Sequence, residues 1–108
     1  MSIAVELADL PVALAAHAWG YLITVSDEQR AHSLAVPTRF EGGALVAAAG
    51  ASTRANVLAR PKVTMVFPPA EADGHSLIVD GHATVTDGEV HLTPTSAVLH
   101  RPAPAPPS

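Results

Sequence analysis

Hydrophobic and polar residues alternate most regularly late in the chain. Between Ser76 and Thr93, one set holds Val79, Ala83, Val85, Val90 and Leu92, and the other holds Asp80, His82, Thr84, His91 and Thr93. Alternation with period two predicts strands with one buried face. Asp87-Gly88 supplies the positive φ of a two-residue turn, so Ser76 to Thr86 and Glu89 to Thr93 form a hairpin with His91 opposite Thr84 and Thr93 opposite His82. Earlier, Leu7, Leu10 and Leu14 recur at helical spacing, and Pro11 is tolerated only near a helix start. A short helix from Leu10 to Ala18 is expected, ended by Gly20. Tyr21 to Ser26 and Ala31 to Thr38 read as a second hairpin, and Ala44 to Ala48 completes a meander after the Glu41-Gly42-Gly43 turn. Ser52 to Arg60 reads as a helix stopped by Pro61, with Ser52 as its N-cap, and Val63 to Phe67 as a buried strand. Val98 and Leu99 add a short strand or dock on the body.

These elements predict a mainly β, α+β fold: a small antiparallel barrel of about six strands with two short helices, closed to remove exposed edges. One domain is expected over residues 1–101. The prolines at 102, 104, 106 and 107 predict a disordered tail over 102–108.

Composition narrows the picture. A chain 48% hydrophobic and 15% charged folds rather than staying disordered. Much of that apolar share is alanine, and only Trp19, Tyr21, Phe40 and Phe67 are aromatic, so a partner subunit or cofactor is expected to add burial. Net charge is −4 with six Lys and Arg dispersed along the chain, which argues against nucleic acid and a membrane surface as partners. Without cysteine there is no disulfide, no thiolate catalysis and no thiolate-bound metal. Residues 1–19 carry Glu6, Asp9 and Pro11 and no basic n-region, and no run is long enough to span a bilayer, so the cytoplasm is the expected location. Of the six histidines only His82 and His91 fall near each other, roughly 7–8 Å apart as diagonal neighbours. They read as solvent-facing, and no metal is expected.

The densest candidate chemistry is Gly50-Ala51-Ser52-Thr53-Arg54-Ala55-Asn56, two hydroxyls and a cation in a first helical turn. Arginine there opposes the positive end of the helix dipole, and a bound anion would resolve the conflict by gathering free N–H groups, both hydroxyls and the guanidinium. The alternative is an ordinary Ser52 cap and an exposed Arg54. Trp19 and Tyr21 flank Gly20 and read as packed aromatics.

That run, followed by Ala59-Arg60-Pro61-Lys62-Val63-Thr64-Met65-Val66-Phe67, resembles the phosphate-binding helix and next strand of the pyridoxamine 5'-phosphate oxidase-related, FMN-binding split-barrel family. Gly20 to Val25 is similar to the family's first strand, His32 to Thr38 to its flavin-lining strand, and Ser76 to Val85 to its later long strand. The resemblance implies a flavin-dependent oxidoreductase, a homodimer with FMN at the interface. Ser52, Thr53 and Arg54 would hold the phosphate with Asn56 nearby, and Val36, Pro37 and Thr38 would line the isoalloxazine. A deazaflavin (F420) is a close variant. The flavin-lining strand lacks the family's basic residue, offering His32 and Ser33 with Arg39 at its end, so a cofactor-free dimeric binding module is the other reading. The chain stops soon after Leu99, which argues against pyridoxamine phosphate as substrate.

Overall fold

The computed structural model describes residues 2–102. Its elements are β1 (Ser2–Val5), a 3-10 turn (Leu7–Asp9), α1 (Leu10–Leu14), β2 (Trp19–Val25), β3 (Ala31–Pro37), β4 (Arg39–Glu41), β5 (Ala44–Ala48), α2 (Ala51–Ala59), β6 (Lys62–Phe67), β7 (Ser76–Thr86) and β8 (Glu89–His100). Strands run antiparallel in the order β3-β2-β6-β7-β8-β5-β4, and β1 also pairs with β8. The sheet curls around one core to give an α+β split barrel. The expected tail over residues 103–108 lies outside the described residues.

The split originates in β8. This strand pairs with β7 along its whole length, but its other edge is shared between β5 at Glu89–Leu92 and β1 at Ala97–His100. The four residues between, Thr93 to Ser96, have no partner on that side among the described residues. Pro94, which has no N–H to donate, falls in this gap, and the register shifts there between Asp80 and Gly81. A bulge bends the strand, and the bend lets one long strand serve two sheet halves. Gly81 is required at the bulge, because a Cβ there would sit 2.2 Å from the Thr93 carbonyl oxygen.

The hairpin expectation holds in register: Thr84 pairs with His91 and His82 with Thr93, around Asp87 and Gly88 at φ 52° and 78°. Val79, Ala83, Val90 and Leu92 are buried, as the alternation requires, and Val85 is half-buried. Other expectations are corrected. Eight strands form among the described residues rather than about six, because β1 and β4 are too short to show a period and the Val98-Leu99 segment is the end of β8. Ala44 to Ala48 does not pair with the Ala31 to Pro37 strand to extend its hairpin into a meander; it pairs with the short β4 and, across α2, β6 and β7 in sequence, with β8. The first helix ends at Leu14 rather than Ala18, and Gly20 is not its stop but the second residue of β2.

Packing explains that glycine. Phe67, fully buried at the end of β6, lies across Gly20, so a Cβ on Gly20 would come within 2.7 Å of the Phe67 ring and 3.1 Å of the Val66 carbonyl oxygen. Gly20→Ala is expected to cost about 1–2 kcal/mol through displacement of that ring, measured as a lower midpoint in urea unfolding; an unchanged midpoint would show that the ring yields freely.

Helix α2 caps one side of the core through Val57, which is fully buried. Its exit is fixed by Arg60, whose Nε donates to the Val25 carbonyl at 2.7 Å and whose Nη2 donates to Asp27 at 2.8 Å. Pro61 then blocks continuation, as the sequence implies.

Candidate functional site

The Ser52-Thr53-Arg54 run begins α2, but the cap is not Ser52. Gly50 takes the N-cap position with extended backbone (φ −72°, ψ 173°) and no side chain caps the helix. The cap therefore falls two residues earlier than expected, and Ser52 sits exposed within the first turn. With no side-chain cap and no acidic residue in that turn, the leading N–H groups point outward unsatisfied by protein. Thr53 is only 3% exposed, and its hydroxyl makes no hydrogen bond among the described residues. Among those residues no sealed-in side-chain polar atom lacks a partner, so this hydroxyl touches solvent at the helix start.

Arg54 folds back along the helix. Its Nη1 donates to the Ala49 carbonyl oxygen at 2.5 Å, and its backbone N–H donates to Gly50 at 3.0 Å. A half-buried guanidinium is thus held beside the positive end of the helix dipole, leaving most of its donors for another acceptor. Asn56 faces the other way: its Nδ2 donates to the Thr24 hydroxyl at 3.2 Å, and both residues are buried between α2 and β2.

Of the three residues expected along a flavin ring, two share a groove. Val36 is buried at 9% exposure and pairs with Gly20, so its side chain belongs to the core. Pro37 and Thr38 line an open groove of about 280 Å³ with Arg39, Ala48 and Glu89. Thr38 is fixed by its N–H to the Ala18 carbonyl at 3.0 Å and its hydroxyl to the Val36 carbonyl at 3.1 Å. Ala48 precedes the cap residue Gly50 by two positions, so the groove ends where β5 turns into α2. Ser52, Thr53 and Arg54 do not line this groove, whose nearest lining residue in sequence is Ala48, while Val36 and Asn56 are committed inward.

The cation at the groove is already paired. Arg39 donates to Glu41 at 2.7 Å and to both oxygens of Glu89 at 2.8 and 3.1 Å. The hydrogen bonds from Glu89 and Glu41 hold the guanidinium protonated well above its ordinary range, and Arg39 in turn holds the Glu89 carboxyl below the usual carboxylate range. Arg39 thus arrives paired, leaving Arg54 as the cation at the helix start. Glu89 could not be read from the sequence, because its position at the groove depends on the β5–β8 pairing. His82 and His91 stand on the same hairpin face, and no group of three potential ligands for a metal occurs among the described residues. No helix among those residues is long and apolar enough to cross a membrane.

The chain has the split-barrel fold shared by FAD-binding, F420-using and pyridoxamine 5'-phosphate oxidase-like proteins. A FAD-binding protein from Mesorhizobium loti superposes with a TM-score of 0.71 at 14% identity, covering 92% of this chain and 96% of that one. A protein from Listeria innocua described as a pyridoxamine 5'-phosphate oxidase gives 0.63 at 16% identity, covering 89% and 94%, and an F420 reductase gives 0.56 at 17% identity, covering 84% and 92%. In sequence, uncharacterised proteins of Mycobacterium bovis and Mycobacterium tuberculosis are 38% identical over 85 residues, 69% of this chain. The match spans only 60% of those curated relatives' length. No family model matches the chain.

Proposed function

We propose that the chain is a flavin-binding oxidoreductase of the pyridoxamine 5'-phosphate oxidase-like family, working as a homodimer with FMN as cofactor. The observation that carries the reading is Arg54, held by Ala49 at a helix start with no side-chain cap, in the turn that also carries Ser52 and Thr53, an arrangement suited to a phosphate. The residues fit the group: Ser52, Thr53 and Arg54 would take the phosphate, and Pro37 and Thr38 would border the ring. Bound flavin would supply the electron transfer, while the polypeptide orients and shields it.

The outer face of the sheet supports a second copy as partner. Direct cross-strand pairing sets Ala35, Tyr21, Val66, Ile78, Val98 and Ala4 in one row across six strands. Trp19 and Val25 extend the apolar area and are 43% and 38% exposed in the single chain. A continuous row of this kind, in a chain short of large core residues, suits a self-complementary interface.

The F420 reductase among the structural neighbours gives the second cofactor reading specific support. Side-by-side calorimetric titration of apo chain with FMN and with F420 is expected to give saturable binding with FMN the tighter. Tighter F420 binding would reassign the cofactor, and no binding of either would favour the cofactor-free module.

A further inference from the structure

We infer that two copies of the chain are set in register by reciprocal ion pairs, Lys62 of each copy facing Asp80 of the other. The inference deepens the second-copy reading given above and rests on it. On the face that carries the apolar row, β1, β2, β3, β6 and β7 contribute just two Asp, Glu, Lys or Arg side chains, and these are Lys62 and Asp80. Asp80 follows the row's Ile78 by two residues on β7, and Lys62 precedes its Val66 by four on β6, so both border the apolar area. Thr64 pairs with Asp80 and Lys62 with His82, which makes the two charges diagonal neighbours on adjacent strands, roughly 7–8 Å apart. Both are exposed and, among the described residues, neither belongs to an ion pair, whereas Arg39 and Glu89, and Arg60 and Asp27, already hold each other.

The surface between them has room for a partner's side chain. Lys62, Thr64, Asp80, His82 and Thr95 line an open cleft of about 440 Å³. The Thr64 hydroxyl donates to the Asp80 carboxylate, and the Thr95 hydroxyl donates to the Asp80 carbonyl at 3.2 Å. Thr95 is the extra residue of the β8 bulge, so the bulge itself holds Asp80 in place. A carboxylate that accepts one hydroxyl keeps capacity for an ammonium.

Symmetry turns the two charges into a matched set. A two-fold axis passing between Lys62 and Asp80 sets each against its opposite and makes both pairs at once. Apolar contact is not directional, so the row supplies area while the charges fix orientation and penalise other registers.

A lysine can also span the diagonal within one chain, and the test separates the two pairings. Sedimentation equilibrium of the full chain gives the dimer Kd. Lys62→Glu and Asp80→Lys should each raise it at least about tenfold, since two attractive contacts per dimer become two repulsive ones. Mixing the two variants in equal amounts should bring Kd back to within about threefold of wild type as a heterodimer, resolved by native mass spectrometry with one variant ¹⁵N-labelled. There both opposite-charge contacts form between chains, while positions 62 and 80 carry like charge within each chain; pairing within a chain therefore predicts no rescue. Circular dichroism checks that each variant folds. Where a reversal does not, Lys62→Gln or Asp80→Asn takes its place and should raise Kd about threefold. A wild-type chain that stays monomeric at about 100 µM would overturn this inference and the second-copy reading together. A wild-type dimer indifferent to the charge changes, or one weakened by both reversals but not rescued by mixing, would overturn the inference alone.

Discussion

Replacing Arg54 by alanine is expected to weaken FMN binding by about 1.5–3 kcal/mol, roughly a ten- to hundredfold rise in Kd. The magnitude follows from what the side chain does. One guanidinium nitrogen is anchored to the Ala49 carbonyl and the others remain free beside a helix start that has no cap and no acidic neighbour. A phosphate there would accept charge-assisted hydrogen bonds from a donor already in place, so little ordering opposes the gain. The same geometry predicts a small effect without ligand, because a cation at the positive end of the dipole contributes little to the free protein. Calorimetry on wild type and variant checks the first point and their apo melting temperatures the second. Equal FMN affinity would remove Arg54 from the site.

Phe67→Ala is expected to cost about 3–5 kcal/mol of folding stability. Phe67 is fully buried, closes the end of β6 over Gly20, backs the imidazole of His17 and lines a depression of about 200 Å³ with Leu14 and Leu45. Gly20 cannot fill the gap, and the neighbouring elements α1 and β2 are held by their own hydrogen bonds. Small domains have only about 5–15 kcal/mol in total, so the variant would be marginal. Urea unfolding measures it; a loss under about 1 kcal/mol would mean that the core repacks around the missing ring.

What could be read from the sequence was local. The β7–β8 register followed from Asp87-Gly88 and the alternation around it, and the grouping of Ser52, Thr53 and Arg54 followed from their being neighbours in one turn. What escaped depended on distant partners. Gly20 looked like a helix stop because the demand on it comes from Phe67, 47 residues later in sequence. The strand after Gly43 looked like part of a meander because its partner β8 lies beyond α2, β6 and β7. Hence Glu89, which holds Arg39 at the groove, was not foreseeable. The cap was misplaced at Ser52 because Gly50 takes the extended backbone that the cap position needs, without any side-chain hydrogen bond to announce it.

The most direct test of a phosphate-dependent flavin site is a thermal melt of the purified chain with excess FMN, set against riboflavin, which has the same ring and no phosphate. Ligand at a hundred times its Kd adds about 2.7 kcal/mol, several degrees for a chain of this size. Stabilisation by FMN with little or none from riboflavin is the result expected from Ser52, Thr53 and Arg54 acting on the phosphate; equal stabilisation by both, or none by either, would contradict it.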